Sequence, residues 1–182
     1  MIIMDQKSDE LLTFIKSRKS VRNFVYQKIE RNVIEKIIEC GRFAPSGLNN
    51  QPWRVHIVIH PSIKHMLAEL TEYGGILESA YANLFIFLDL EKGYDRTKDV
   101  QAIGAFMQNL LLGAHALNLG AVWIGEILKN KEKVNEIFKL TIDKYELMGI
   151  IALGETDTQM EKRVEKSREE EKRPISEFIE WY

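Results

Sequence analysis

The feature that most limits how this chain can fold is a run of 26 residues, 100–125, without a formally charged side chain. Such a run is long enough for a helix that crosses a bilayer. Polar side chains interrupt it, however, and placing that many of them in hydrocarbon is costly: Gln101, Gln108, Asn109, His115 and Asn118. No basic cluster flanks the run closely, as membrane spans usually require. We therefore predict no membrane association, and instead a long helix over residues 99–119, closed by Gly120.

The predicted helix has two sides that lack charge. One side is apolar and is the predicted core face: Ile103, Phe106, Met107, Leu110, Ala114 and Leu117. The other side follows near-heptad spacing: Gln101, Gly104, Gln108, Leu111, His115 and Asn118. A helix without charge on any side is normally buried all round. In a chain of 182 residues this is easiest if one side meets a second copy, so we favour a homodimer over a central helix within a monomer.

The remaining periodicities predict a single α+β domain, residues 1–182, in which helices wrap a small, mostly antiparallel sheet. Apolar stripes at helical spacing indicate four further helices, at residues 8–17, 30–40, 62–72 and 131–139. Alternating or continuous apolar runs indicate strands at 53–59, 83–90, 121–124 and 147–153. Gly74 and Gly75 are expected to end the helix at 62–72.

Charge and cysteine content exclude several classes of function. The 25 basic residues against 27 acidic ones argue against a nucleic-acid partner, which normally needs a basic excess. The single cysteine, Cys40, cannot form an internal disulfide, and the first ten residues show no signal-peptide pattern, so we expect a cytoplasmic protein. The four histidines lack metal-ligand spacing, and no nucleophile–histidine–acid arrangement is visible.

A basic segment at residues 17–22 suits a phosphate. Arg18, Lys19 and Arg22 supply charged donors, and Ser20 adds a hydroxyl. The alternative is an ordinary cationic helix end, which the helix dipole favours.

Two further segments carry polar or exposed backbone groups. The loop at residues 44–53 combines Pro45 with Ser46, Asn49 and Gln51, and could meet the rim of a planar heteroaromatic. Its alternative is a plain loop, which such residues also favour. In the segment 117–126 a helix ends at a glycine and turns into a strand, although Trp123 could equally belong to the core.

Together and in this order, the three segments resemble the nitroreductase family of flavoproteins. That family opens with Arg-(Arg/Lys)-Ser-x-Arg, here residues 18–22, and continues with Ala-Pro-Ser-x-x-Asn-x-Gln-Pro-Trp, here 44–53. A Gln-Asn-Leu-Leu-Leu-x-Ala helix follows at 108–114 and ends at 118–120. The resemblance covers about residues 8–182. It implies a nitroreductase-like fold and a domain-swapped-style homodimer.

The resemblance also implies that FMN is bound. Arg18, Lys19 and Ser20 would hold its phosphate and ribityl chain, and Arg22 would lie towards the N1–C2 edge of the ring. Loop residues of the partner subunit would approach the ring: Pro45, Ser46, Asn49 and Gln51. The other edge would be lined by Trp123, Ile124 and Gly125, with a backbone N–H near Gly125 donating to N5. Near the end of the chain Arg173, with Lys172 behind it, would return to the phosphate.

The implied activity is hydride transfer from NAD(P)H, through FMN, to a nitroaromatic, a quinone or a similar small acceptor, with no side chain acting as acid or base. A flavin storage or sensor module, or specialised chemistry such as dehalogenation or flavin breakdown, would share the same motifs. The chain also departs from the family. Residues 154–156 are Gly-Glu-Thr where many members have Gly-Tyr-Pro, and Glu171 stands where a basic residue is common. The connection at 90–99 is too short for the helical insertion that often roofs the substrate pocket.

Overall fold

The computed structural model describes residues 6–164 and 172–182, and these form an α+β fold around a five-stranded antiparallel sheet. Along the sheet the order is β1-β5-β3-β2, and β4 also pairs with β5. The strands are β1 (Phe24–Val25), β2 (Trp53–Val58), β3 (Ala82–Asp89), β4 (Gly120–Ile124) and β5 (Tyr145–Thr156). This architecture confirms the fold class predicted from the sequence.

Seven helices of the described residues surround the sheet. They are α1 (Gln6–Ser17), α2 (Arg31–Arg42), α3 (Pro61–Ala68), α4 (Gly74–Ser79), α5 (Arg96–Ala116), α6 (Lys131–Phe138) and α7 (Thr158–Val164). One face of the sheet packs against α2 and α5, around Ile37, Phe106 and Leu110. The other face packs against α3, α4 and α6, around Leu67, Leu77 and Val134. Every residue of β3 is buried between these two cores, which confirms its prediction as a central strand.

The long charge-poor helix α5 is buried mainly on one side, and of the residues predicted for its other side Leu111 alone is buried, at 6% exposure. Its predicted core face is buried from Ile103 to Ala114, whereas Leu117 beyond its end is 41% exposed. On the other side Gln101 and Gln108 are exposed, and no atom of the described residues lies within 4 Å of a Cβ built on Gly104. Helix α1 has no buried residue at all, and its apolar Leu11, Leu12 and Ile15 are exposed. No helix in the described part of the chain has the length and apolar character that a membrane crossing needs.

Several predicted boundaries were wrong for physical reasons. Helix α5 begins at Arg96, three residues before the predicted start, because the Asp95 side chain caps it by accepting from the Lys98 N–H at 3.0 Å. Gly120 does not close α5. Asn118 takes the left-handed conformation instead, with φ 57°, and Gly120 begins β4.

The region after α3 was also predicted incorrectly. Helix α3 ends at Ala68, and Gly74 begins α4 instead of ending a helix. A Cβ on Gly74 would lie 2.5 Å from the Ala68 carbonyl oxygen, so this corner requires glycine. Strand β1 was missed, because its two residues pair only with Glu155 and Thr156 of β5, which is longer than predicted.

Candidate functional site

The basic segment runs alongside β4. Ser20 forms a parallel bridge with Ala121, and the Val21 N–H donates to the Ala121 carbonyl at 3.0 Å. Val21 is buried, and side chains alternate along an extended segment, so Ser20 and Arg22 share the side opposite to it. The structure therefore brings the first predicted segment against the third.

Alternate residues of this segment, Ser17, Lys19 and Val21, border a cleft of about 210 Å³ at the end of α5. They share it with His115 and Asn118. The Ser17 hydroxyl donates to the Phe14 carbonyl at 2.9 Å, and it lies 2.8 Å from His115 Nε2. His115 also stacks on Phe14, with ring centroids 4.8 Å apart. Burial, together with the positive charge of Arg18, lowers the pKa of His115 below its ordinary value. The imidazole is therefore neutral at pH 7 and ties the basic segment to α5.

Arg22 faces a second cleft, of about 480 Å³, that it shares with Asn23, Tyr73, Asp157 and Met160. Here a carboxylate oxygen of Glu161 accepts from the backbone N–H groups of Arg22 and Asn23, each at 3.2 Å, and from the Asn23 side chain at 3.0 Å. The Arg22 residue remains exposed. No sequence pattern pointed to Glu161, because it lies in a run of mixed charge.

The loop at residues 44–53 has an unusual backbone. Leu48, Asn49 and Gln51 all have left-handed φ values, of 53°, 55° and 48°. The Gln51 N–H donates to Ser46 Oγ at 3.1 Å. Pro45 and Asn49 are exposed, and Leu48 is 86% exposed. The loop thus presents polar groups to the outside of the chain.

The residues after β4 differ in their accessibility. Trp123 is 42% exposed, and its indole lies over Gly149, beside Met107. Ile124 is 3% exposed, with its side chain packed on the face of the sheet that carries α3, α4 and α6, so it would line a ligand site through its backbone. Gly125 is exposed, and a Cβ built on it would meet nothing within 4 Å among residues 6–164 and 172–182.

Glu126, which sequence reasoning missed, fastens the chain directly after Gly125. Its carboxylate pairs with Lys129 and accepts from Thr71 Oγ1 at 2.6 Å and from the Glu72 N–H at 3.0 Å. The hydrogen bonds from Lys129 and Thr71 lower the pKa of this carboxyl. The exposed backbone at Gly125 is therefore held against the turn that follows α3.

Arg173 lies in the described C-terminal stretch, every residue of which is exposed. Its guanidinium is 3.8 Å from a Glu177 carboxylate oxygen and lies over the Phe178 ring. The predicted departure at Glu171 falls outside the described residues. Within the described ranges no group of histidine, cysteine and acidic side chains could hold a metal ion.

The basic segment and the loop at 44–53 lie at opposite ends of α5. The loop is bonded to Asp99 in the first turn of the helix, and the basic segment is bonded to His115 in the last turn. Since an α-helix rises about 1.5 Å per residue, these two residues are about 24 Å apart along its axis. Within one chain the two predicted ligand-binding elements are therefore not brought together.

The cationic segment beside β4 supplies donors that suit a phosphate, and the polar loop before β2 supplies groups that suit the rim of a ring. Comparison with known proteins gives the family. A sequence model described as "Nitroreductase family" matches residues 15–155, and the chain belongs to that family.

Similar proteins include archaeal and bacterial members. A protein of Archaeoglobus fulgidus named as an NADH dehydrogenase/NAD(P)H nitroreductase is 31% identical over 80% of this chain and 85% of its own length. A protein of the same name from Methanothermobacter thermautotrophicus is 32% identical over 64% of this chain, which spans 61% of that relative. A crystal structure from Desulfovibrio desulfuricans, described as a nitroreductase in complex with FMN, has a TM-score of 0.85 and 34% identity, with 97% of this chain and 96% of that one covered.

Proposed function

We propose that this protein is an FMN-dependent oxidoreductase that takes hydride from NAD(P)H and passes it to a small acceptor such as a nitroaromatic or a quinone. The names of the relatives support the use of NAD(P)H, and the FMN complex of a 34% identical structure supports the cofactor. The single exposed cysteine, Cys40, suits a reducing cytoplasm.

The donor set of the basic segment fits the phosphate of FMN. Arg18 and Lys19 supply charged N–H donors and Ser20 supplies a hydroxyl, which together match a phosphate dianion. Arg18 Nη1 is shielded from solvent, so its interaction with an anion would be weakly screened. Arg22 follows two residues after Ser20, and its positive charge would favour negative charge at the edge of the ring.

Bound FMN would supply the two-electron chemistry, and the chain would supply position and polarity. The exposed Gly125 backbone, held by Glu126, would donate to the ring at N5. Trp123 would cover part of one edge. Asn49 and Gln51 would offer hydrogen bonds to the rim, and Pro45 would lie against it.

The observation that carries the proposal is the separation of about 24 Å along α5 between the two binding elements. A twofold axis through the middle of α5, perpendicular to the helix, would place the first turn of one copy beside the last turn of the other. The exposed outer side of α5 and the unburied apolar side of α1 would then be covered. We therefore propose a homodimer in which each flavin lies between the basic segment of one subunit and the loop of its partner.

The first test is the colour and redox behaviour of the purified protein. We expect a yellow dimer whose absorbance near the flavin maximum is bleached by NADPH or NADH and restored by a nitro compound or a quinone. Arg18→Ala should lose the flavin, whereas Arg31→Ala, which removes an exposed arginine paired with Glu35, should keep it. Colourless protein that gains no thermal stability from added FMN would contradict the proposal. Bound flavin that NADPH and NADH fail to reduce would instead favour a storage or sensor module.

A further inference from the structure

The loop at residues 44–53 is held in a conformation that its residues do not prefer. Leu48 and Gln51 adopt the left-handed region, which costs free energy for residues other than glycine and, to a smaller extent, asparagine. Leu48 gains no packing from this conformation within the chain, since its side chain is 86% exposed. Other contacts must therefore hold the loop.

Asp99, a buried carboxylate in the first turn of α5, supplies those contacts. It is 2% exposed, and it accepts from Asn50 Nδ2 at 2.7 Å and from the N–H groups of Tyr94 and Asp95 at 2.9 and 3.1 Å. Hydrogen bonds to a buried charged group are among the strongest in proteins. Asp99 thus joins the loop, the turn before α5 and α5 itself at one point.

Asn50 and Gly47 complete this junction. Asn50 Nδ2 also donates to the Lys92 carbonyl at 3.0 Å, and these two acceptors determine which way the amide points. Gly47 packs directly on the Tyr94 ring, and a Cβ at that position would overlap the Tyr94 hydroxyl. The loop is therefore held at both ends of its short 3-10 turn, by Gly47 at the start and by Asn50 directly after it, with the exposed Leu48 and Asn49 between them.

We propose that Asn50 and Asp99 are positioning residues that hold the loop in its flavin-binding conformation before the flavin arrives. The inference rests on the proposed function, because it concerns the loop that would meet the ring. A loop that is already ordered loses less conformational entropy on binding, and this increases affinity. Asn50 itself touches the buried carboxylate of Asp99, so its effect on the flavin is exerted through Asn49 and Gln51.

The test is the affinity of the full chain for FMN, measured by titration of flavin fluorescence into deflavinated protein. Removing a hydrogen bond to a buried charge in Asn50→Ala should raise the Kd for FMN by about 10- to 100-fold. Asn50→Ser, which keeps a shorter donor, should lie between the wild type and Asn50→Ala. It is the variant that decides the matter if Asn50→Ala does not fold.

Asn135→Ala is the matched control. Asn135 is buried and donates its side-chain amide to the Tyr145 carbonyl at 2.8 Å, in the layer of α6 on the other face of the sheet. This variant should lower the thermal midpoint but change the Kd for FMN less than about twofold, since additivity holds for distant sites. A general loss of stability is thereby separated from a loss of loop order.

Leu48→Asn provides a rescue that a merely structural role would not produce. Asparagine tolerates the left-handed conformation better than leucine does. Added to Asn50→Ala, it should lower the Kd for FMN about threefold, and in the wild-type background it should change the Kd less than that. The inference is overturned if the wild type binds FMN and the Asn50 variants bind it equally well, or if Leu48→Asn has no effect in either background. A wild type that binds no FMN refutes the proposed function instead.

Discussion

A substitution on the outer side of α5 should prevent the proposed dimer from forming and leave the fold of the single chain intact. Gly104 lies near the middle of this helix, and in the part of the chain that the structure describes nothing is within 4 Å of a Cβ built there. In an isolated chain Gly104→Arg should therefore be tolerated, and loss of a helical glycine should stabilise the fold by about 0.5–1 kcal/mol. In the proposed dimer the same arginine would be buried against the partner's α5 without a counter-charge.

An unpaired buried charge costs about 3–5 kcal/mol, so each of the two arginines, one from each copy, should weaken dimerisation by roughly a hundredfold to a few thousandfold. Light scattering coupled to size-exclusion chromatography gives the mass of the variant, and its absorbance gives the flavin content. We expect a folded, colourless monomer with an unchanged or higher thermal midpoint when compared with the flavin-free wild type. Gly104→Ala, which adds only a methyl group, should stay dimeric and yellow. A dimeric Gly104→Arg with a full complement of flavin would refute the reasoning.

Three further variants test contacts within the chain. His115→Gln keeps a donor for Ser17 but cannot titrate. Because the folded pKa of His115 is depressed, its stabilisation is present above the ordinary histidine pKa of about 6.5 and is lost as the pH falls below it. The thermal midpoint of the wild type should therefore fall more than that of the variant between about pH 7.5 and 5.5. Equal slopes would contradict this. Gly149→Ala should lower the free energy of unfolding, measured in urea, by about 1–3 kcal/mol and shift the tryptophan fluorescence, because the new Cβ would lie 2.7 Å from Trp123 Nε1 at a φ of 148°. An unaltered emission spectrum would argue against that contact. Lys64→Met should lower the free energy of unfolding by about 1–3 kcal/mol, since the carbonyls of Glu78 and Ala80 each lose a buried donor. A variant that is as stable as the wild type in urea would show that these carbonyls find other partners.

Elements with strong local patterns were predictable from the sequence. Helix α5 was predicted because Ile103, Phe106 and Leu110 recur at helical spacing, and all three are buried. Strand β3 was predicted as central because its residues are apolar without interruption, as is typical of strands covered on both faces. The segments at 17–22 and 44–53 were also predictable as candidate binding elements, because each family motif lies within one contiguous stretch of the chain.

Features that depend on distant partners were not predictable. The bond between Asn50 and Asp99 joins residues 49 positions apart, and that between Ser17 and His115 joins residues 98 apart. The pair Gly74 and Gly75 is a normal helix terminator by local rules, but the approach of the Ala68 carbonyl makes Gly74 a helix start. The burial of Ile124 follows from the packing on the second face of the sheet, which no local pattern around it indicates.

The central claim, that each flavin lies between the basic segment of one subunit and the loop of the other, is tested most directly by mixing two damaged chains. One chain carries Arg18→Ala and Ser20→Ala, the other carries Asn49→Ala and Gln51→Ala, and different tags allow the mixed dimer to be purified. Each variant alone should be free of flavin. The account predicts that the mixed dimer regains one intact site, and so binds one FMN per two chains with about half of the wild-type activity. A mixed dimer that binds no FMN would contradict it, because each site would then be built within a single chain.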